Sequence, residues 1–275
     1  MFSSTTRGVA AAAGLAMATA ALAACAPSSS AHGLSVVATT TQICDYVTQI
    51  AAKSSDISLD KTDAAGKSSH VGAAPDGAAL SMRLTCLLAP NASAHEHEMT
   101  PAQTSALAQA DVMAVSGVDL EHFLDDAVVS SGFKGRMVVT SGVLTAADVD
   151  NPGATDPEGA YTIDRGSERV DVAPWPFPPE EAGEEPEFRF DPHVWTSPKG
   201  ARIQVANLGA GLAAAAPDAA SSINAATASY LEDIDALDKW TAEAIATVPE
   251  GQRVLFTSHD AFGYFSRDYG IRFIG

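Results

Sequence analysis

Short apolar runs alternating with stretches of helical periodicity predict an α/β chain, with a mainly parallel sheet covered by helices. Runs of strand length recur at residues 34–38, 80–88, 111–116 and 136–140. Stripes at three- and four-residue spacing lie between them, as at Ile43, Val47 and Ile50, and at Leu120, Phe123, Leu124 and Val128. Helix-start signals separate the two kinds of segment, most clearly Thr100-Pro101-Ala102-Gln103, a capping-box pattern with proline at the first helical position. Ligands of such sheets bind beyond the carboxyl ends of the strands, which is where the chemistry is expected.

Residues 1–24 stand apart from the fold. Arg7 precedes an alanine-rich apolar run over 8–24 that ends in small residues, the anatomy of a secretion signal. Its end, Leu22-Ala23-Ala24-Cys25, resembles the lipobox of bacterial lipoproteins, which implies a lipidated Cys25, a membrane anchor and a tether over 25–33. No later stretch is long and apolar enough to cross a bilayer. The 275 residues suffice for one large domain or two ordinary ones. A formal charge of −18, with 34 acidic against 16 basic residues, argues against nucleic acid as a partner and suits a cation.

After the βα unit formed by 34–38 and the Ile43 stripe, residues 54–79 turn polar and read as a surface insertion in which His70 is merely solvated. The alternation of Leu80, Met82, Leu84, Cys86 and Leu88 makes a strand that leads into Pro90-Asn91 and His95. Residues 147–187 break the pattern with prolines and with Glu180, Glu181, Glu184, Glu185 and Glu187, and read as a second, solvated insertion. Ser197-Pro198 starts a helix through Leu212. Pro217 starts another, with Ile223, Tyr230, Ile234 and Leu237 as its stripe. If helical to Ile245 it spans about 42 Å, enough to bridge two lobes. A strand over 253–257 ends near His259.

Three histidines end strand-like runs or sit on stiffened turns: His193 in Phe190-Asp191-Pro192-His193-Val194-Trp195, His95 after Pro90-Asn91-Ala92-Ser93-Ala94, and His259 in Thr257-Ser258-His259-Asp260-Ala261-Phe262. Neutral imidazoles delivered by three rigid loops suit a borderline-soft divalent cation such as zinc. His97, framed by Glu96 and Glu98, competes with His95, whereas His122 reads as an ordinary helix residue. Binding needs neutral imidazoles, so affinity should fall as pH drops through about 6 to 7. Cys44 and Cys86 form an even pair in an oxidising compartment, and both a disulfide and two buried thiols fit.

The segments Ala38-Thr39-Thr40-Thr41-Gln42-Ile43, Leu88-Ala89-Pro90-Asn91-Ala92-Ser93-Ala94-His95, Asp191-Pro192-His193-Val194-Trp195 and 257–265 together resemble the metal-binding receptors of bacterial ABC importers for zinc and manganese, the cluster-nine solute-binding proteins. The resemblance implies a two-lobed α/β solute-binding protein with parallel sheets: a first lobe over 34–216, a linking helix over 217–247 and the start of a second lobe over 248–275. It implies a metal site of His95 and His193 from the first lobe and His259 from the second. It further implies an ABC permease as partner, a monomeric state, no catalytic residues, and Zn2+ as cargo with Mn2+ as the alternative. Resembling manganese receptors often carry glutamate at the place of His259, so histidine tilts the site toward zinc. Two departures stand out: relatives complete the site with a carboxylate from late in the second lobe, which is expected to be incomplete here, and the loop before Asp191 is acidic and lacks histidine. Two other readings stay open, a metal-buffering or adhesive lipoprotein and a three-histidine zinc hydrolase with Asp260 as its adjacent carboxylate.

Overall fold

The computed structural model describes Met1, 33–152, 159–179, Pro186 and 188–274. The leader, the lipobox Cys25, most of the tether and the five glutamates between 180 and 187 lie outside the described residues. Strands β1 (Leu34–Ala38), β2 (Ile57–Thr62), β3 (Ser68–Gly72), β4 (Leu80–Cys86), β5 (Val112–Val115), β6 (Arg136–Val139) and β7 (Thr162–Asp164) form a seven-stranded sheet of order β3-β2-β4-β1-β5-β6-β7. Every neighbouring pair is parallel except the β2-β3 hairpin.

Strand residues alternate between the two faces because successive side chains point in opposite directions. Leu34, Val36 and Ala38 of β1, with Val112 and Ala114 of β5, enter one core; Val37, Met113 and Val115 enter the other. Helices α1 (Thr41–Ala52), α5 (Pro198–Ala215) and α6 (Ala220–Ala246) cover the first face, and α2 (Pro101–Ala108) and α3 (Leu124–Ser131) cover the second. A short α4 (Ala146–Asp150) lies between β6 and β7. The Thr100 capping box forms as the sequence predicts, with Thr100 Oγ1 accepting from Gln103 N and Gln103 Oε1 accepting from Thr100 N.

Both expected insertions need correction. Residues 54–79 contain β2 and β3: Ile57 and Leu59 are fully buried, while β3 is a polar edge strand held through its backbone. His70 is tied by hydrogen bonds to Asp60 Oδ1 and Ala73 O, both at 2.9 Å. Residues 147–187 supply β7, and Val170 within them is buried against Val143, Val194 and Tyr264. These segments escape a search for long apolar runs because β3 and β7 are edge strands without a buried apolar side chain, and the interior β2 contributes only Ile57 and Leu59 to the core.

Helix α6 runs 27 residues, about 40 Å. It packs on α1 and α5, burying Ile223, Ala226, Thr227 and Ile234. Gly209 of α5 makes close approach possible, since a Cβ there would lie 2.4 Å from Thr227 Oγ1. Leu237, expected on the buried stripe, is instead exposed beside Trp240. The chain then forms a two-stranded parallel sheet of β8 (Val254–Phe256) and β9 (Arg272–Ile274) around α7 (Gly263–Tyr269). Its anchor is Tyr264, 1% exposed, whose hydroxyl donates to Asp191 O at 2.7 Å and accepts from Ala173 N at 3.2 Å.

Candidate metal centre

The loops that follow the central strands converge on one point. β4 ends at Cys86 and runs into the loop carrying His95; Cys86 is joined to Cys44 of α1, with Cα atoms 5.6 Å apart, so this exit is tied covalently to the helix that follows β1. β5 leads into a turn where Val118 and Asp119 adopt left-handed φ values of 57° and 56°. Glu121 holds that turn: its buried carboxylate accepts from Thr39 Oγ1 (2.6 Å), Ser116 N (2.6 Å) and Gly117 N (3.1 Å). Burial pushes its pKa up, partly opposed by these donors.

His193 sits where the segment after β7 returns toward α5. Asp191, 2% exposed, accepts through Oδ1 from both the main-chain N (2.9 Å) and ring Nδ1 (2.8 Å) of His193. An acceptor at Nδ1 places the proton there and leaves Nε2 with its lone pair, the arrangement in which carboxylates orient metal-binding histidines. Nε2 of His193 is buried and makes no hydrogen bond, and the same is true of Nδ1 of His95. Tyr264 and Gly263 lock the opposite wall against Asp191; a Cβ on Gly263 would fall 2.4 Å from Asp191 Oδ2. His259 lies on the loop just before that anchor.

These placements bring one ring nitrogen each of His95, His193 and His259 within 4.8 Å of one another. The ring centres are 5.4 Å apart for His95 and His193, 5.2 Å for His193 and His259, and 6.4 Å for His95 and His259. Imidazoles bound tetrahedrally to zinc through bonds of about 2.0–2.1 Å have ring centres about 5 Å apart, so the cluster is close to a binding geometry. Phe188, Trp175 and Trp195 wall it with apolar surface. Burial, and then the neighbouring His193, His122 and His259, lowers the pKa of His95 to about 4. For the metal-free His95 ring this places proton uptake below the range near pH 6 to 7. His97, the competitor to His95, points elsewhere and packs its ring edge-on against Phe123 at 5.0 Å.

Two residues beside the cluster are not evident from type and spacing alone. Asp191 stands two residues before His193, and that Asp-Pro-His spacing was the available signal for its orienting role. His122, which the sequence places on a helix, precedes α3, and its ring lies 6.1 Å from that of His95.

With this geometry in view, the family described as ZnuA, zinc-uptake complex component A, periplasmic, matches residues 77–275. The chain belongs to that family. Its members are metal-binding components of transporters, not enzymes, which removes the three-histidine hydrolase. The manganese-binding lipoprotein MntA of Bacillus subtilis is 28% identical over 228 residues, 83% of this chain and 63% of MntA. The zinc-binding protein AdcA of Streptococcus pyogenes serotype M3 is 39% identical over 82 residues, 30% of this chain and 16% of AdcA. Among solved structures, Zn(II)-bound AdcA from Streptococcus pneumoniae matches with a TM-score of 0.58 at 20% identity, over 88% of this chain and 39% of that one. The periplasmic zinc-binding protein TroA from Treponema pallidum matches with a TM-score of 0.54 at 22% identity, over 88% and 66%. These likenesses establish the α/β fold with its mostly parallel central sheet. The chain spans less than two thirds of the length of each of these relatives.

Proposed function

We propose that this chain captures a divalent transition metal ion outside the cytoplasm, through His95, His193 and His259, and presents it to an ABC import permease. The observation that carries the reading is the convergence of three imidazole nitrogens within 4.8 Å, two of the three rings having a buried nitrogen without a partner. Unpaired buried nitrogens are costly unless something binds them, and a cation with open coordination positions satisfies them directly. Zinc is the preferred cargo because imidazole suits it, whereas manganese favours carboxylate and water. The named relatives include both zinc-binding and manganese-binding proteins, so manganese is the alternative. The organisation that goes with this role is a signal over 1–24, a lipid anchor at Cys25, a first lobe over 34–216, a linking helix over 217–247 and the beginning of a second lobe from 248, acting as a monomer.

Titration of the purified protein with zinc and manganese by chelator competition, beside His193→Ala, tests the site. Tight zinc binding that the variant loses while keeping its thermal transition is expected. Equal affinity in the two proteins would refute the assignment. Delivery is tested separately by deleting the gene and measuring growth under zinc limitation, where a receptor predicts a defect rescued by added zinc.

A further inference from the structure

The Cys44–Cys86 bond forms part of the wall of a cavity of about 420 Å³ at the carboxyl ends of β2 and β4. Both cysteines are buried, yet the cavity reaches them from a rim of exposed residues that includes Lys67, Ser69, Ala89 and Pro90. Its size is that of small-molecule sites, about 300–1,000 Å³. Lys61 of β2 and Lys67 of the β2–β3 turn both line it, and among the described residues neither ammonium is in an ion pair. Asp63, the carboxylate in the wall, serves its own turn, its Oδ1 accepting from Ala65 N at 3.0 Å and Lys67 N at 2.9 Å. In a chain of formal charge −18, two unpaired ammonium groups on one cavity make an island that attracts anions.

The bond also stands at the root of the loop that carries His95. Cys86 ends β4, and the next residue is held by Leu87 N donating to Ala38 O at 3.0 Å and Leu87 O accepting from Gln103 Nε2 at 2.8 Å. From 88 to 95 the main-chain hydrogen bonds are local: Ala92 N donates to Ala89 O at 3.1 Å, and His95 N donates to Ser93 Oγ at 3.2 Å. Leu88, Ala89 and Pro90 line the cavity, so it touches both the bond and the loop.

We infer that the cavity is a thiol–disulfide exchange site for a low-molecular-weight thiol bearing an anionic group, and that exchange there loosens the His95 loop. The link to the loop rests on the three-histidine reading, whereas the exchange site does not. The lysines hold the anionic group and favour the thiolate, which is the attacking species. The thiolate sulfur bonds to one cysteine sulfur, the Cys44–Cys86 bond breaks, and its electron pair leaves on the other cysteine as a thiolate. A second thiolate then attacks the mixed disulfide. Two small thiols are thereby oxidised to their disulfide, and the two cysteines are reduced. With the tie cut, the exit loop of β4 samples more positions, and the cost of ordering it falls on metal binding.

Metal-free protein in native buffer is exposed to mercaptoethanesulfonate or, separately, to neutral mercaptoethanol, then quenched by alkylation, and the opened bonds are counted by mass. The anionic thiol is expected to open the bond about tenfold faster in the wild type than in Lys61→Gln/Lys67→Gln, the low end of what focused charge adds to an encounter rate. The neutral thiol should react equally with both proteins, which separates attraction from a change in the fold. Equal rates with the anionic thiol, or a bond that opens only in denaturing urea, would overturn the exchange site. Zinc competition reads the link to the loop in Cys44→Ser/Cys86→Ser, which lacks both the bond and the thiols that would themselves bind zinc. The same measurement on thiol-opened, alkylated wild type covers a variant that fails to fold. Zinc binding about tenfold weaker than in the oxidised wild type is expected, and unchanged affinity would overturn the link. Oxidised wild type that binds no zinc would overturn the three-histidine reading together with the link, and the exchange rates alone would then judge the cavity.

Discussion

The hydrogen bond between Asp191 and His193 is the most informative place to perturb the site without touching a ligand. In Asp191→Asn the amide oxygen can still accept from the main-chain N and from Nδ1, now at 2.9 and 2.8 Å, so the turn should survive while the negative charge is lost. Hydrogen bonds to a charged group contribute about 1.5–3 kcal/mol in such a buried setting, roughly twice a neutral one. The variant should therefore lose about 1–1.5 kcal/mol of support for the metal-bound imidazole, which is about tenfold in affinity, at the low end of the 10–100-fold typical of such orienting partners. Asp191→Ala is the contrasting control. It leaves two buried donors unpaired, at about 1–3 kcal/mol each, and should lower the urea midpoint of the metal-free protein as well. Zinc competition at neutral pH and urea unfolding of both variants separate the two effects. Unchanged zinc affinity in Asp191→Asn would refute the orienting role.

Three more outcomes follow from the same contacts. The pKa of His95 lies near 4 in the folded chain against 6.5 for the free side chain, so the unfolded chain binds more protons between these values. The contribution is fully present above about pH 6.5 and is lost as pH falls toward 4; at this half-buried ring solvent screening keeps it on the order of 1–2 kcal/mol. Urea unfolding of metal-free protein at stepped pH should show that loss in the wild type and not in His95→Asn, and parallel profiles would contradict it. Tyr264→Phe removes the hydroxyl bonded to Asp191 O and Ala173 N. It should cost about 1–3 kcal/mol and weaken zinc binding through the loop of His259, so a variant that loses neither speaks against Tyr264 as the anchor. The Cys44–Cys86 bond closes a separation of 42 residues, worth about 4 kcal/mol in the chain-entropy picture. A urea midpoint unmoved by the double serine variant would remove that contribution.

The fold was legible where neighbours within a few residues decide the outcome. Thr100 and Gln103 form their capping box, and the strands at Leu34–Ala38 and Leu80–Cys86 fall where alternation puts them. It was illegible where burial on one side comes from distant segments. β3 shows no apolar run because β2 alone pairs with its edge, and Leu237 keeps helical spacing with Ile234 yet faces outward because α1 and α5 cover only the other side of α6.

Residue type and short spacing are enough for the α/β alternation, the helix starts, the acidic charge and the placing of the histidines on stiffened turns. Packing alone brings one ring nitrogen each of His95, His193 and His259, far apart in the chain, within 4.8 Å of one another. It also decided that Asp191 orients one of them and that His122 belongs at the rim rather than on a helix face. A metal site is a matter of distance and unpaired lone pairs, and both depend on how the loop after β4, the Asp191 turn and the anchor at Tyr264 are held in place.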